Sequence, residues 1–274
     1  MSWRRRLSSY SFDTVIGVFL PAGCIGVLAE AYLRTNLRDA NTAAHCSFAA
    51  SNNILTTARV RELETAGIVV IPKVLSGQQL HDARYAVQLL KGQFDTSLND
   101  RDVRQDQIQW VRSTAVGVAS EEEEDGLLLP IRLIRGVGDA LERASYQGVS
   151  ALRIPQDCQL AVYAGDGSAG YRRHLDRCTS TIFELGILEY WRLSDVRCRV
   201  VTVILYLNAA DRPKDAGGSL RCWTNNESEE EHFDIEPVGG TMVVFDASRI
   251  RHQVLPSNSE RTAITCWIHG NLEQ

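Results

Sequence analysis

Residues 242–268 read MVVFDASRIRHQVLPSNSERTAITCWI. Three short apolar runs, at 241–245, 250–255 and 261–268, are separated by polar turns, one of them carrying Pro256-Ser257-Asn258. In the middle run Ile250, His252 and Val254 alternate with Arg251 and Gln253, the period of a half-buried strand. Runs this short, joined by so few residues, pair antiparallel. The same texture extends back to residue 158, with further runs at 158–164, 171–176, 199–207, 218–223 and 232–236. Gly165-Asp166-Gly167, Gly217-Gly218 and Gly239-Gly240 mark the gaps. About eight strands with glycine punctuation predict an antiparallel sandwich or jelly roll.

The preceding hundred residues have a different character. Val60 and Leu63 sit at helical spacing, and Gly67 stands where a helix C-terminal glycine stands. Ile68 to Ile71 reads as a short strand stopped by Pro72. Ser76 with Gln79 makes a capping-box signature, followed by Leu80, Ala83, Val87 and Leu90 on one helical face. Residues 96–106 are charged and loop-like, and the acid run 121–125 reads as a solvated loop or helix start. Pro130 is placed to open a third helix, with Ile134, Val137 and Leu141 on its buried face. Helices first and strands later give an α+β class, with the helices covering one sheet. The expected organisation is a targeting or linker segment at 1–50, a helical support region at 51–150 and the β core at 151–274.

Composition narrows the function classes. The chain has 274 residues, 44% hydrophobic and 23% charged, enough apolar material for one large domain. A net charge of −5, without a basic stripe, argues against nucleic-acid binding by phosphate neutralisation. The seven cysteines are widely spaced and form no CxxC pair, so they read as thiols rather than zinc ligands or a disulfide framework. Cys178 and Cys198 flank one loop and could pair in an oxidising compartment. Arg4, Arg5 and Arg6 followed by the apolar run Val15 to Ala29 resemble a secretory signal peptide. A signal anchor, a transit segment and an ordinary helix are the competing readings. The run is short and contains Pro21, so no stable membrane span is expected.

The chemistry centres on His174-Leu175-Asp176. On a strand, residues two apart project from one face, so an imidazole and a carboxylate would point together while Leu175 packs the other way. That is two-thirds of a 2-His-1-carboxylate facial triad, which holds Fe(II) and leaves positions open. Taken alone, a His-x-Asp tripeptide is a surface polar pair far more often than a metal site. His252 is the candidate third ligand, although a histidine on an apolar strand face is usually a core residue. Arg261 leads the apolar run Ala263 to Ile268. A guanidinium entering a buried strand is costly unless it meets an anion, and its fork suits a carboxylate.

The region from about 156 to 270 resembles the catalytic core of 2-oxoglutarate/Fe(II) dioxygenases, in particular the oxygen-sensing prolyl hydroxylases. The stretches that carry the resemblance are AVYAGDGSAGYRRHLD (161–176), VVTVILYLN (200–208), GGSLRCW (217–223) and residues 242–268. The resemblance implies a double-stranded β-helix, or jelly roll, with iron held by His174, Asp176 and His252. It implies that Arg261 and Tyr206 bind the distal carboxylate of 2-oxoglutarate and that Tyr163 lines the co-substrate pocket. Tyr171 would line the mouth, and Trp267 would form an aromatic wall near a target proline. Read from the residues alone, Tyr163, Tyr206 and Trp267 are core aromatics. The implied reaction consumes 2-oxoglutarate and O2, with ascorbate as reductant, releases succinate and CO2, and hydroxylates a proline in a protein or peptide partner.

An arginine at 261, where collagen-type enzymes carry lysine, leans towards the oxygen-sensing subtype. That favours a cytoplasmic or nuclear location, against the secretory (ER) reading of the N-terminus. Residues 177–198 form a longer connection than the family's and carry Phe183, Tyr190 and Trp191. They read as a substrate lid or as a packed helix over the sheet edge. Three rivals remain at this stage. One is an oxygenase acting on a small or acyl substrate, as phytanoyl-CoA-type enzymes do. Another is a zinc hydrolase, which lacks an HExxH-like motif here and leaves Arg261 unexplained. The last is a non-catalytic module retaining the fold.

Overall fold

Thr56 caps the first helix, α1 (Thr57–Ala66), its hydroxyl accepting from the Arg59 amide. Gly67 ends that helix at φ 79°, its N–H donating to the Leu63 carbonyl. A residue without a Cβ takes this left-handed turn at little cost, which is why the helical pattern breaks there. Strand β1 (Ile68–Ile71) follows directly. Helix α2 (Gly77–Leu89) opens on a complete capping box: Ser76 accepts from the Gln79 amide while the Gln79 side chain accepts from the Ser76 amide. Leu80, Ala83 and Val87 are its buried face, as the spacing predicts. Then come β2 (Asp95–Thr96), β3 (Asp106–Arg112), helix α3 (Glu121–Arg143), β4 (Ser150–Arg153), β5 (Asp157–Tyr163) and β6 (Tyr171–His174). Three short helices, α4 (Ile182–Leu185), α5 (Ile187–Arg192) and α6 (Ser194–Arg197), precede β7 (Arg199–Tyr206), β8 (Leu220–Trp223), β9 (His232–Ile235), β10 (Met242–Asp246), β11 (Arg251–Val254) and β12 (Arg261–Asn271). The computed structural model describes residues 54–96, 104–112, 121–148, 150–180, 182–224 and 231–271.

The strands form two antiparallel sheets. The larger runs β1-β10-β7-β12-β5-β3-β2, with β4 also paired to β12, and the smaller runs β6-β11-β8-β9. Each of the eight runs expected between residues 158 and 268 is a strand, and together they make the jelly-roll pair of sheets. Strand periodicity divides the interior in two. On β7, Val201, Val203 and Leu205 face the helices, whereas Ile204 and Tyr206 face the smaller sheet. On β10, Met242 and Val244 face the helices, and Val243 and Phe245 the smaller sheet. The larger sheet therefore has a helix-covered back and a front turned towards β6, β8 and β11. The candidate site lies on that front.

Residues 106–112 form β3, paired along its length with β5, a strand that the sequence pattern did not pick out. Of the loop expected at 96–106, residues 97–103 lie outside the described residues. Two expectations need correction. Pro130 does not open α3 but lies within it, because the helix starts at Glu121 in the acid run. The missing proline N–H costs about 3 kcal/mol. Leu127 and Ile131 on either side are buried, each contributing about 1.5–3 kcal/mol, so burial carries the helix through. Finally, β6 ends at His174, so Asp176 lies beyond the strand and Leu175 is only half-buried. Cys158, Cys178, Cys198, Cys222 and Cys266 are free thiols, and Cys178 and Cys198 are not bridged. The signal-like N-terminus, Cys24 and Cys46 fall outside the described residues. Among the described residues no helix is long and apolar enough to cross a membrane.

The contact between α2 and α3 depends on Gly126. A Cβ there would stand 2.5 Å from the Asp82 carbonyl oxygen and 2.8 Å from the Ala86 Cβ. Backbone on α2 cannot yield as a flexible side chain does. Gly126→Ala is expected to cost about 1–3 kcal/mol, read as a lower urea midpoint at unchanged slope.

Candidate metal centre

Antiparallel pairing of β6 with β11 sets His174 directly opposite His252. His174 Nδ1 lies 2.7 Å from the Arg172 carbonyl oxygen, and His252 Nδ1 lies 3.1 Å from that of Ile250. A carbonyl only accepts, so each Nδ1 carries the proton and each Nε2 keeps its lone pair. Both Nε2 atoms point at Asp176. His174 Nε2 is 3.5 Å from Oδ1 and His252 Nε2 is 3.6 Å from Oδ2. The three ligating atoms lie within 4.8 Å of one another, so one ion can sit among them.

The chain reaches this geometry by a bend after His174. The Arg177 amide donates to the Ala247 carbonyl at 2.9 Å, drawing residues 175–177 away from the strand direction. The Thr202 hydroxyl on β7 then donates to Asp176 Oδ2 at 2.7 Å and fixes the carboxylate. Burial opposes ionisation of Asp176, but His252, His174 and Thr202 more than offset it and hold the acid well below the usual carboxylate range. Burial, reinforced by His174, pushes the His252 imidazole down to about 4. The set thus presents one carboxylate and two Nε2 donor atoms, a charge and donor type that suit a divalent ion such as Fe(II). Tyr171 stacks on His174 at 3.9 Å between ring centres, and Phe245 meets His252 edge-on at 4.8 Å.

Arg261 begins β12, in register with Tyr163 on β5, while Ala263 pairs with Tyr206 on β7. It is 2% exposed. Its Nε donates to the Gly218 carbonyl at 2.9 Å, and its guanidinium carbon stands 5.0 and 5.1 Å from the Tyr163 and Tyr206 ring centres. Among the described residues no carboxylate pairs with it. The Tyr206 hydroxyl is buried without a hydrogen-bond partner. Burial pushes that phenol up to about 12, with Arg261 opposing, so it stays a donor. An unsatisfied buried hydroxyl costs about 1–3 kcal/mol, and an unpaired buried cation more. Arg261 lines the cleft that also holds His174, Asp176 and His252, with the Tyr206 ring packed beside its guanidinium. A dicarboxylate bound there would pair with Arg261.

A family model for the 2OG-Fe(II) oxygenase superfamily matches residues 158–269. Those residues belong to that superfamily. Membership implies Fe(II), 2-oxoglutarate and O2, and the His/Asp/His set and the orphaned Tyr206 hydroxyl fit the first two. Similar folds occur in solved structures. A Pseudomonas putida prolyl-4-hydroxylase is 25% identical, with a TM-score of 0.58 over 79% of this chain and 99% of that one. A Trichoplax adhaerens prolyl hydroxylase, in complex with a hypoxia inducible factor oxygen degradation domain peptide fragment, is 23% identical, with a TM-score of 0.58 over 87% and 92%. A Phytophthora capsici prolyl 4-hydroxylase is 18% identical, with a TM-score of 0.57 over 82% and 68%.

The remaining aromatic residues named from the sequence also reach this oxygenase cleft. Tyr163, Tyr171 and Trp267 all line it. Trp267 shares the Arg261 face of β12 by alternation, 6.3 Å from Trp110 and 4.2 Å beneath the Arg199 guanidinium. Sequence reasoning missed three residues. Thr202, on the Ile204 and Tyr206 face of β7, was readable by period two as a polar side chain in an otherwise apolar run. Gln159, alternating with Ala161 and Tyr163 on β5, gave the same signal. Arg104 gave none. It is bound to Asp106 at 2.5 and 2.6 Å and to Gln159, and lies 5.1 Å over Tyr171. Residues 177–198 fold into α4, α5 and α6, and α5 and α6 bury no side chain. Phe183 and Leu188 are 97% and 84% exposed, so this segment is not a packed cover for the sheet edge.

Proposed function

We propose that this oxygenase hydroxylates a proline within a peptide, using Fe(II), 2-oxoglutarate and O2, with ascorbate as reductant. The observation that carries the reading is the single cleft lined both by the His174/Asp176/His252 ligand set and by Arg261, a buried guanidinium with no carboxylate partner among the described residues. The choice of proline is supported by the similarity to the Pseudomonas putida and Trichoplax adhaerens enzymes, the latter seen with a peptide.

In this reading His174 and His252 give Nε2 to the metal and Asp176 gives a carboxylate oxygen, while Thr202 fixes the orientation of that carboxylate. Bound iron supplies the O2 chemistry that couples loss of CO2 from 2-oxoglutarate, leaving succinate, to hydroxylation of a C–H bond. Arg261 and Tyr206 hold the distal carboxylate by charge-assisted hydrogen bonds, and Tyr163 walls the co-substrate. Sheet side chains close around the reactants and exclude water. Tyr171 and Trp267 form the aromatic walls that a pyrrolidine ring would meet.

The test is succinate release from 2-oxoglutarate by protein supplied with Fe(II), ascorbate and O2, with and without proline-rich peptides. Turnover that rises with proline peptides, and not with the same peptides carrying alanine for proline, supports the reading. Succinate formed with equal efficiency from either peptide set removes proline as the target. No succinate from iron-loaded protein under any condition removes the hydroxylase.

A further inference from the structure

Three turns converge at the base of Arg261: residues 165–167, 217–218 and 256–260. They pack too closely for side chains. A Cβ on Gly165 would lie 2.5 Å from the Ser259 Cα, and one on Gly217, at φ 66°, would lie 2.5 Å from the Pro256 carbonyl oxygen. Amides of each turn donate to another: Gly167 to Ser257, Gly218 to Pro256 and Asn258 to the Ala216 carbonyl, at 2.8, 2.9 and 2.7 Å. Carbonyl oxygens left over point into the middle of this cluster.

Arg212 occupies that middle. Its Nη1 donates to the Glu260 carbonyl at 2.6 Å. Its Nη2 donates to Ser257 Oγ at 2.8 Å, and reaches the carbonyls of Ser259, Gly217 and Ala216 at 3.1, 3.2 and 3.3 Å. Ser257 Oγ in turn donates to the Ser259 carbonyl at 2.6 Å. One guanidinium thus grips the last peptide oxygen before Arg261 and the residue next to Gly218, whose carbonyl holds Arg261 Nε. Among the described residues no carboxylate pairs with Arg212. Burial and the nearby Arg261 charge both work against it. An arginine kept there against its own charge and that of its neighbour is not a random surface residue.

From this geometry we infer that Arg212 is a positioning residue for the co-substrate clamp, fixing the backbone on both sides of Arg261 so that its fork meets the distal carboxylate. The inference rests on the proposed role of Arg261. It predicts an effect on 2-oxoglutarate and none on the metal, because the hydrogen bonds of Arg212 go to the turns and not to β6 or β11. Arg212 also borders a cavity of about 420 Å³ shared with Arg84, Asp211 and Glu260. Water entering there can reach carbonyls that a shorter side chain leaves behind, so truncation need not unfold the chain.

The experiment compares wild type, Arg212→Ala, Arg212→Lys and, as a control in the same cavity, Arg84→Ala. Each full-length protein is titrated with Fe(II) and, once loaded, with 2-oxoglutarate under anaerobic conditions. Steady-state kinetics and amide hydrogen exchange over residues 215–219 and 255–260 are then measured. For Arg212→Ala the expected result is faster exchange in both turns and a rise of about 10- to 100-fold in the 2-oxoglutarate Kd and KM. The metal affinity should be unchanged and kcat should move less than about 3-fold at saturation. Lysine should restore part of the loss and Arg84→Ala none of it. Should Arg212→Ala prove insoluble, the Arg212→Lys titration decides by itself, since loss of the fork predicts a measurable rise in Kd. Faster exchange with unchanged 2-oxoglutarate affinity would reduce Arg212 to a loop staple and overturn the inference, as would no change in either. Wild-type protein that takes up iron but no 2-oxoglutarate would instead overturn the role of Arg261, and this inference with it.

Discussion

Asp176→Ala is expected to abolish metal uptake at micromolar iron and to take succinate release below detection. Asp176 is the only charge in the ligand set, so its loss leaves two neutral imidazoles facing a divalent ion with no neutralising partner. It also strands the Thr202 hydroxyl, which donates to Oδ2 at 2.7 Å. The expected loss is more than about 100-fold in Fe(II) affinity, beyond what disturbing an outer partner of a ligand costs. Asp176→Asn keeps the shape and removes the charge, so it should bind metal nearly as poorly. Neither change should unfold the apoprotein. Asp176→Ala does strand the Thr202 hydroxyl and removes the partner of both imidazoles, so the apo melting temperature should fall by a few degrees without loss of the fold. Metal content by mass spectrometry and the apo melting temperature check both halves. Iron bound stoichiometrically by Asp176→Ala would remove this residue from the site.

Arg261→Ala should leave iron bound and raise the 2-oxoglutarate requirement by about 100- to 10,000-fold. A charge-assisted bidentate pair with a carboxylate contributes roughly 3–5 kcal/mol in a buried setting, and each 1.4 kcal/mol is tenfold. Arg261→Lys keeps the charge but loses the fork and the Nε bond to Gly218, so an intermediate rise of roughly tenfold is expected. Removing the Tyr206 hydroxyl in Tyr206→Phe deletes one neutral donor and should cost about 1–2 kcal/mol of binding. Arg261→Ala should stand well above Arg261→Lys and Tyr206→Phe, which should be comparable, in 2-oxoglutarate titrations of the metal-loaded protein. No change in Arg261→Ala means that the co-substrate is held elsewhere.

Much of this architecture was legible from local pattern. The capping box at Ser76, the left-handed stop at Gly67 and the alternation of Ile250, His252 and Val254 are local rules, and the structure obeys them. The candidate site was legible because His174, His252 and Arg261 sit on strands whose faces alternate predictably. What escaped depends on partners distant in sequence. Strand β3 alternates only over Gln107, Ile108, Gln109 and Trp110 before Val111 and Arg112 break the period, and its Trp110 is half-exposed, so the pattern is too short to mark it. Its pairing with β5 makes it a strand. Helix α3 extends nine residues ahead of Pro130 because α2 offers a surface that Gly126 lets it approach. Asp176 reaches the histidines through a bend fixed by Ala247, seventy residues on. Arg104 lies outside any readable element and is placed by Asp106 and Gln159.

The ligand set and the clamp stand on opposite walls of the sandwich. His174 and His252 belong to the four-stranded sheet, whereas Arg261, Tyr206 and the Thr202 that steadies Asp176 belong to the eight-stranded one. On the proposed reading, a metal and its 2-oxoglutarate would therefore work as a clasp, fastened to one wall by imidazole and to the other by guanidinium. Its binding free energy adds to the cohesion of the two walls and rises with ligand concentration as mass action requires. Without metal and co-substrate, the seam is held by apolar contacts and by a few hydrogen bonds, such as Thr202 to Asp176 and Arg261 to Gly218. Filled, it would also be latched by its own reactants, and would loosen as each co-substrate is spent.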